Sequence, residues 1–304
     1  MDARLPDVSY NFGPDATAEM IPARMANLAS AGVKRVMLDA VQLVRAADDR
    51  AYMDALQSSL RDNGLALFDV HAPHGSLESF GYPAPEAGHV CLESAHKAMA
   101  TAAELGARTV TFHVSRTRLV GRMAGDYGVF EKAELESART RIIHQLEMVL
   151  PEAERLGLMI ALENLFLPSS TAAFLLSIMQ EMPHPNIGLN YDSGHALLLE
   201  RQAGKTSGNI AEWIRIGWDD DCVVFQDDQL DAMLPYVVTC HIHDNHGMND
   251  EHLPPGQGVA DWKLIVERLR RAPRLLSIQS EVSSKYYGDA PASQTNAFRD
   301  CGFV

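Results

Sequence analysis

Apolar positions along the chain fall into short dense runs separated by longer stretches of helical period. The runs Asp7–Asn11, Arg35–Asp39, Ala66–Ala72, Thr109–Val114, Met159–Asn164, Ile187–Asp192, Tyr236–Asp244 and Leu275–Val282 predict eight strands. Between them, Thr17–Ala31, Glu86–Leu105, Glu131–Leu156 and Ser170–Met182 are amphipathic and predict helices. Gly32, Gly64, Gly106 and Gly157 each stand just before a strand, where a left-handed helix cap is expected. Evenly spaced strands, each but the last followed by a helix, predict an α/β fold: a single (β/α)8 TIM barrel over residues 1–304. The pattern weakens twice. Residues 201–230, with the acidic run Asp219, Asp220 and Asp221, make an over-long connection between strands six and seven, read as a solvated loop in preference to a lid. The last helix is expected to be short or missing, because too little chain follows strand eight.

Composition narrows the classes. The 304 residues are 46% hydrophobic and 22% charged, which is a globular mix. Lys plus Arg number 26 against 40 Asp plus Glu, a formal charge of -14 that repels phosphate backbones and disfavours nucleic acid as partner. Cys91, Cys222, Cys240 and Cys301 form no CxxC pair, as expected of reduced thiols in a cytoplasmic protein. No stretch approaches 18 apolar residues and no leader is readable at MDARLPDVSY, so no membrane partner is expected. Composition leaves room for a homo-oligomer.

In a barrel of this type, chemistry sits at the C-terminal ends of the strands. Those ends carry His71 and His74, His113, Glu163 and Asn164, Asp192 with His195 three residues on, and His241, His243 and Asp244. Asp250 and His252 follow in the strand-seven loop, and Glu281 ends strand eight. His, Asp and Glu are the ligand set of zinc, manganese and similar divalent ions. A lone histidine at a strand end is usually structural, and HxH at 241 and 243 could be one face of a polar strand. Joint occurrence on six successive strands is what points to a metal site at the C-terminal mouth. No P-loop or nucleophile elbow is present: PPGQG at 254–258 opens no helix, and Ser193 in DSGH lacks the glycine frame. Trp213, Trp218 and Trp262 read as packing residues.

ALEN around Glu163, NYDSGHA around Asp192 and His195, and HIHDNHGMNDEHLPPGQGVADW from His241 to Trp262 resemble the xylose-isomerase-like barrels. That group includes sugar-phosphate isomerases and epimerases and endonuclease IV. The resemblance implies a central divalent ion held by Glu163, Asp192, His241 and Glu281. It implies Mn²⁺ or Zn²⁺ first, with Co²⁺, Fe²⁺ and Mg²⁺ as further candidates. The three-zinc cluster of endonuclease IV has matches here in His71, His113, His195, Asp250 and His252. His243, two residues from His241 on the same strand, is the competing ligand. The ketose 3-epimerases carry an Arg after the strand-seven histidine; none occurs from His241 to Trp262, which argues against a tagatose- or psicose-type substrate.

The expected activity is isomerisation or epimerisation of a sugar or sugar phosphate through an enediolate. Glu163 and Glu281 remove and return the proton, and histidines and Asn164 bind hydroxyls. The alternatives are zinc-dependent hydrolysis of abasic DNA and dehydration by the same enolate chemistry. The nuclease needs a cationic groove, for which the loops offer only Arg116, Arg118, Arg122 and Lys285.

Overall fold

The computed structural model describes residues 4–83, 86–114, 132–201, 210–218, 223–287 and 291–304. Eight strands close into a barrel in sequence order, every neighbouring pair parallel. They are β1 (Val8–Tyr10), β2 (Arg35–Leu38), β3 (Ala66–His71), β4 (Thr109–Phe112), β5 (Met159–Glu163), β6 (Ile187–Asp192), β7 (Val237–Ile242) and β8 (Ser277–Ser280). Each lies inside its expected segment. Helices expected from periodicity form at Ile21–Ser30, Ala87–Glu104, Lys132–Leu156 and Ala172–Glu181. Gly32, Gly64, Gly106 and Gly157 adopt φ of 82°, 62°, 82° and 67°, the left-handed region expected of their caps.

The closing helix is present and short, as expected, over Pro291–Asp300. Its Phe298 is fully buried and meets Tyr10 edge-on with ring centroids 5.5 Å apart, which secures the helix across β1. One expectation needs correction, the loop reading of residues 201–230: the connection between β6 and β7 is not simply a solvated loop. It carries helices Glu212–Trp218 and Gln229–Met233. Ile210, Ile214 and Trp218 form a second apolar cluster with Phe166, Leu167, Leu198 and Leu199. Trp218 donates its indole N–H to the Phe166 carbonyl at 2.6 Å. The acidic run 219–221, Cys222 and Arg116, Arg118 and Arg122 lie outside the described residues.

Residues two apart on a strand share a face, so alternate positions fill the lumen. Asp69 lies there, fully buried, and accepts hydrogen bonds from Ser9 (2.6 Å), Thr109 and Ser277. Burial pushes its carboxyl upward and the three hydroxyls oppose that. This polar floor underlies the mouth.

Candidate metal centre

Glu163 ends β5 and is 1% exposed. Its two oxygens face different partners. Oε2 lies 2.9 Å from His113 Nε2 and 3.2 Å from His71 Nε2. Oε1 lies 3.1 Å from His241 Nδ1 and 3.4 Å from His195 Nδ1. The same His241 nitrogen is 3.0 Å from Glu281 Oε1 and 3.9 Å from Asp192 Oδ2. Glu163, Asp192, His241 and Glu281 thus bring one ligand atom each within 4.8 Å of one another.

Asp192 ends β6 and caps the helix Ser193–Leu199. Its Oδ1 accepts from the His195 N–H at 2.6 Å, as an N-cap carboxylate does. The D-S-G-H run therefore fixes both residues with one local bond. Asn164 clamps the neighbouring strand: Oδ1 accepts from the Asp192 N–H (2.8 Å) and Nδ2 donates to the Asp192 carbonyl (3.1 Å).

A second set gathers beside the first. Asp250 Oδ2 is 3.3 Å from both His195 Nε2 and His252 Nε2. His243 is fully buried, with Nε2 3.1 Å from both Asp192 oxygens and its ring stacked on His252 at 3.9 Å. A Cβ on Gly194 would overlap that ring, so glycine is required there. Because β7 ends at Ile242, His243 lies beyond the strand. It groups with Asp192 and His195, and with Asp250 and His252, while His241 groups with Glu163 and Glu281. His71, His113 and Glu163 form a further group.

Asp244 was visible only as one more polar residue at the end of strand seven, yet it organises the loop that delivers Asp250 and His252. Its carboxylate accepts from the backbone N–H of Asn245 (2.9 Å), Gly256 (3.0 Å), Gly258 (2.9 Å) and Ala260 (3.2 Å), and from the Trp262 indole (2.9 Å). The signal was G-x-G-x-A-x-W itself: glycines let the backbone approach, and no side chain fits at Gly258. His252 takes φ 52° on this loop, with Nδ1 2.8 Å from the Glu281 carbonyl.

Charge balance supports a cation at this mouth. Burial alone would raise Glu163 and Glu281, but His241, with His113 at Glu163, holds both carboxyls well below the usual range. Burial alone would lower His241, but Glu281 and Glu163 push it well up; Asp192 and Asp250 do the same for His195. His252 rises to about 9 because the bond and charge of Asp250 outweigh burial. Carboxylates this deep need positive charge, which comes from imidazolium protons or from a divalent ion taking the same ligand atoms. Oxygen and imidazole nitrogen donors fit manganese, zinc and magnesium alike.

The family model described as xylose isomerase-like TIM barrel matches residues 25–292. The chain belongs to that family. Among solved structures, this xylose isomerase-like barrel is similar to a D-tagatose 3-epimerase-like protein, with 18% identity, 97% of each chain covered and a TM-score of 0.68. It is also similar to a 3-keto-D-glucoside 4-epimerase from E. coli, with 13% identity, 98% of this chain and 99% of that one covered, and a TM-score of 0.68. At these identities the likeness is one of fold. A curated relative, an uncharacterized protein of Methanocaldococcus jannaschii, is 29% identical over 129 residues, spanning 41% of this chain and 37% of that protein.

Proposed function

We propose that this xylose isomerase-like barrel is a divalent-metal-dependent isomerase or epimerase of a sugar or sugar phosphate. The observation that carries the reading is the pair of carboxylates, Glu163 from β5 and Glu281 from β8, meeting at His241 Nδ1 from 3.1 and 3.0 Å. Asp192 completes that group. When bound there, a divalent ion would supply Lewis-acid stabilisation to the enediolate of the substrate. Glu281, 18% exposed at its side chain against 1% for Glu163, reaches the mouth and takes the proton from the carbon beside the carbonyl. Glu163 returns a proton from the opposite side, and His71 and His113 orient hydroxyls. Dehydration would use the same first proton transfer followed by loss of water. Among the described residues no helix is long and apolar enough to cross a membrane.

The test is a panel of ketoses, ketose phosphates and keto-polyols incubated in deuterated water with Mn²⁺. Deuterium at the carbon beside the carbonyl, read by NMR, is the expected result, and product mass separates dehydration from isomerisation. Absence of exchange across the panel refutes the reading. A second reading, metal-dependent phosphodiester hydrolysis at abasic DNA, is favoured by one observation: the further groups His71–His113–Glu163 and His243–Asp250–His252 give room for more than one ion. Three ions per chain, with cleavage of a duplex carrying one abasic site, would establish it.

A further inference from the structure

Just inside the mouth, Thr111 on β4, Asn190 on β6 and Gln279 on β8 stand level in register with His71, Glu163 and His241 on the intervening strands. Asn190 lies two residues below Asp192 on β6, and residues paired level across parallel strands point to the same side, so all three share the inward face of His71, Glu163 and His241. All three are fully buried. Thr111 Oγ1, Asn190 Oδ1 and Nδ2, Gln279 Oε1 and His241 Nε2 have no hydrogen-bond partner among the protein's atoms. Folded proteins leave few such atoms, and five in one layer of one lumen is a concentration that calls for a ligand. The set mixes acceptors with two N–H donors, Asn190 Nδ2 and the Nε2 of a histidine whose Nδ1 faces carboxylates. A cation would be repelled by those donors, whereas water can both donate and accept.

We infer that the lumen beneath the mouth holds ordered water bound by Thr111, Asn190 and Gln279, and that this water accepts the His241 Nε2–H. Gln279 continues the chain downward: its Nε2 donates to Thr239 Oγ1 at 3.1 Å, Thr239 meets Ser277 at 2.8 Å, and Ser277 bonds Asp69. His241 is thereby held in the tautomer that leaves Nδ1 free to ligate, by water in place of the carboxylate or carbonyl that usually orients a metal-binding histidine. Thr111, Asn190 and Gln279 are positioning residues. The His241 link rests on the metal reading above; the hydration does not.

Two measurements separate them. In metal-free protein, Thr111→Val is isosteric: a hydroxyl bonded to water loses stability on becoming a methyl, and a bare buried hydroxyl gains it. The expected result is a Tm lowered by about 2–4 °C, with Thr111→Ser closer to wild type. An unchanged or raised Tm in Thr111→Val overturns the hydration. Mn²⁺ affinity by chelator competition is then expected to fall by about 10–100-fold in Gln279→Met, and to fall in Thr111→Val but recover in Thr111→Ser. Affinity unchanged in both Gln279→Met and Thr111→Val overturns the link to His241. Wild-type protein that binds no Mn²⁺ would refute the metal reading and with it the link, while the Tm comparison still decides the water.

Discussion

Asp244→Asn is the sharpest test of how the loop after β7 is held. The substitution keeps the shape of the side chain but removes its charge and turns one acceptor oxygen into a donor. Oδ1 receives the N–H groups of Asn245 and Ala260; Oδ2 receives those of Gly256, Gly258 and the Trp262 indole. The less damaging amide orientation places the new NH₂ at the Oδ1 position, and two donors lose their acceptor. Hydrogen bonds to a charged group contribute about 1.5–3 kcal/mol each, so local stability should drop by about 3–6 kcal/mol. The assay is native-state hydrogen exchange of the Asn245, Gly256, Gly258 and Ala260 amides, compared with barrel amides such as Val110 and Leu162 as internal reference. The loop amides should exchange far faster while the barrel amides stay protected. Trp262→Phe, which removes a single donor, should show about half of the effect or less. A loop opening free energy altered by under about 1 kcal/mol in Asp244→Asn would refute the argument, because the carboxylate would then be one contact among many.

Glu281→Gln should lower deuterium exchange into substrate by about 10²–10⁴-fold with a small change in Tm; exchange at the wild-type rate would remove Glu281 as base. His241→Ala should abolish occupancy of the central metal position, and full occupancy by metal analysis would transfer that role to His243. Binding of Mn²⁺ should release protons, because His241, His195 and His252 are all raised when the carboxylates have no ion to neutralise them. Calorimetry in buffers of different ionisation enthalpy reads the number, and zero release below pH 7 would contradict it. His252 has a folded pKa of about 9 against 6.5 unfolded, so its contribution is full below about 6.5 and lost as pH rises through about 9. Metal-free protein should lose on the order of 1–3 kcal/mol over that window, discounted for the group's partial exposure. A flat pH–stability curve there would show that Asp250 and His252 are not paired in solution.

The barrel was readable because its signals are local. Each strand is a short apolar run, and glycines such as Gly106 and Gly157 mark the stop before it. Strand ends placed Glu163, Asp192, His241 and Glu281 at the mouth among the other histidines and carboxylates there, but only the family resemblance singled out these four as one group. His243 was harder. Strand parity put it beside His241, but β7 stops at Ile242, and the chain turns His243 toward Asp192 and the space above Gly194. Nothing near residue 243 announces that stop. The placement of Asp250 and His252 depends on donors 12 to 18 residues downstream of Asp244, a long-range closure that periodicity does not register. The apolar face of Ile210, Ile214 and Trp218 has helical spacing, but its partners Phe166 and Leu199 lie on the loop after β5 and at the end of the helix after β6, so the segment looked solvated.

The contact between Gly194 and the His243 ring has an evolutionary consequence. No Cβ fits at position 194 while an imidazole occupies 243, and shrinking 243 alone leaves the Asp192 oxygens without that nitrogen and a void against His252. Each single change is penalised, and only the double change is open. In descendants and cousins of this chain, the two positions should therefore covary: a side chain at 194 should arrive with a smaller or differently directed residue at 243. Selection experiments starting from Gly194→Ala should recover their suppressors at position 243 before anywhere else in the barrel.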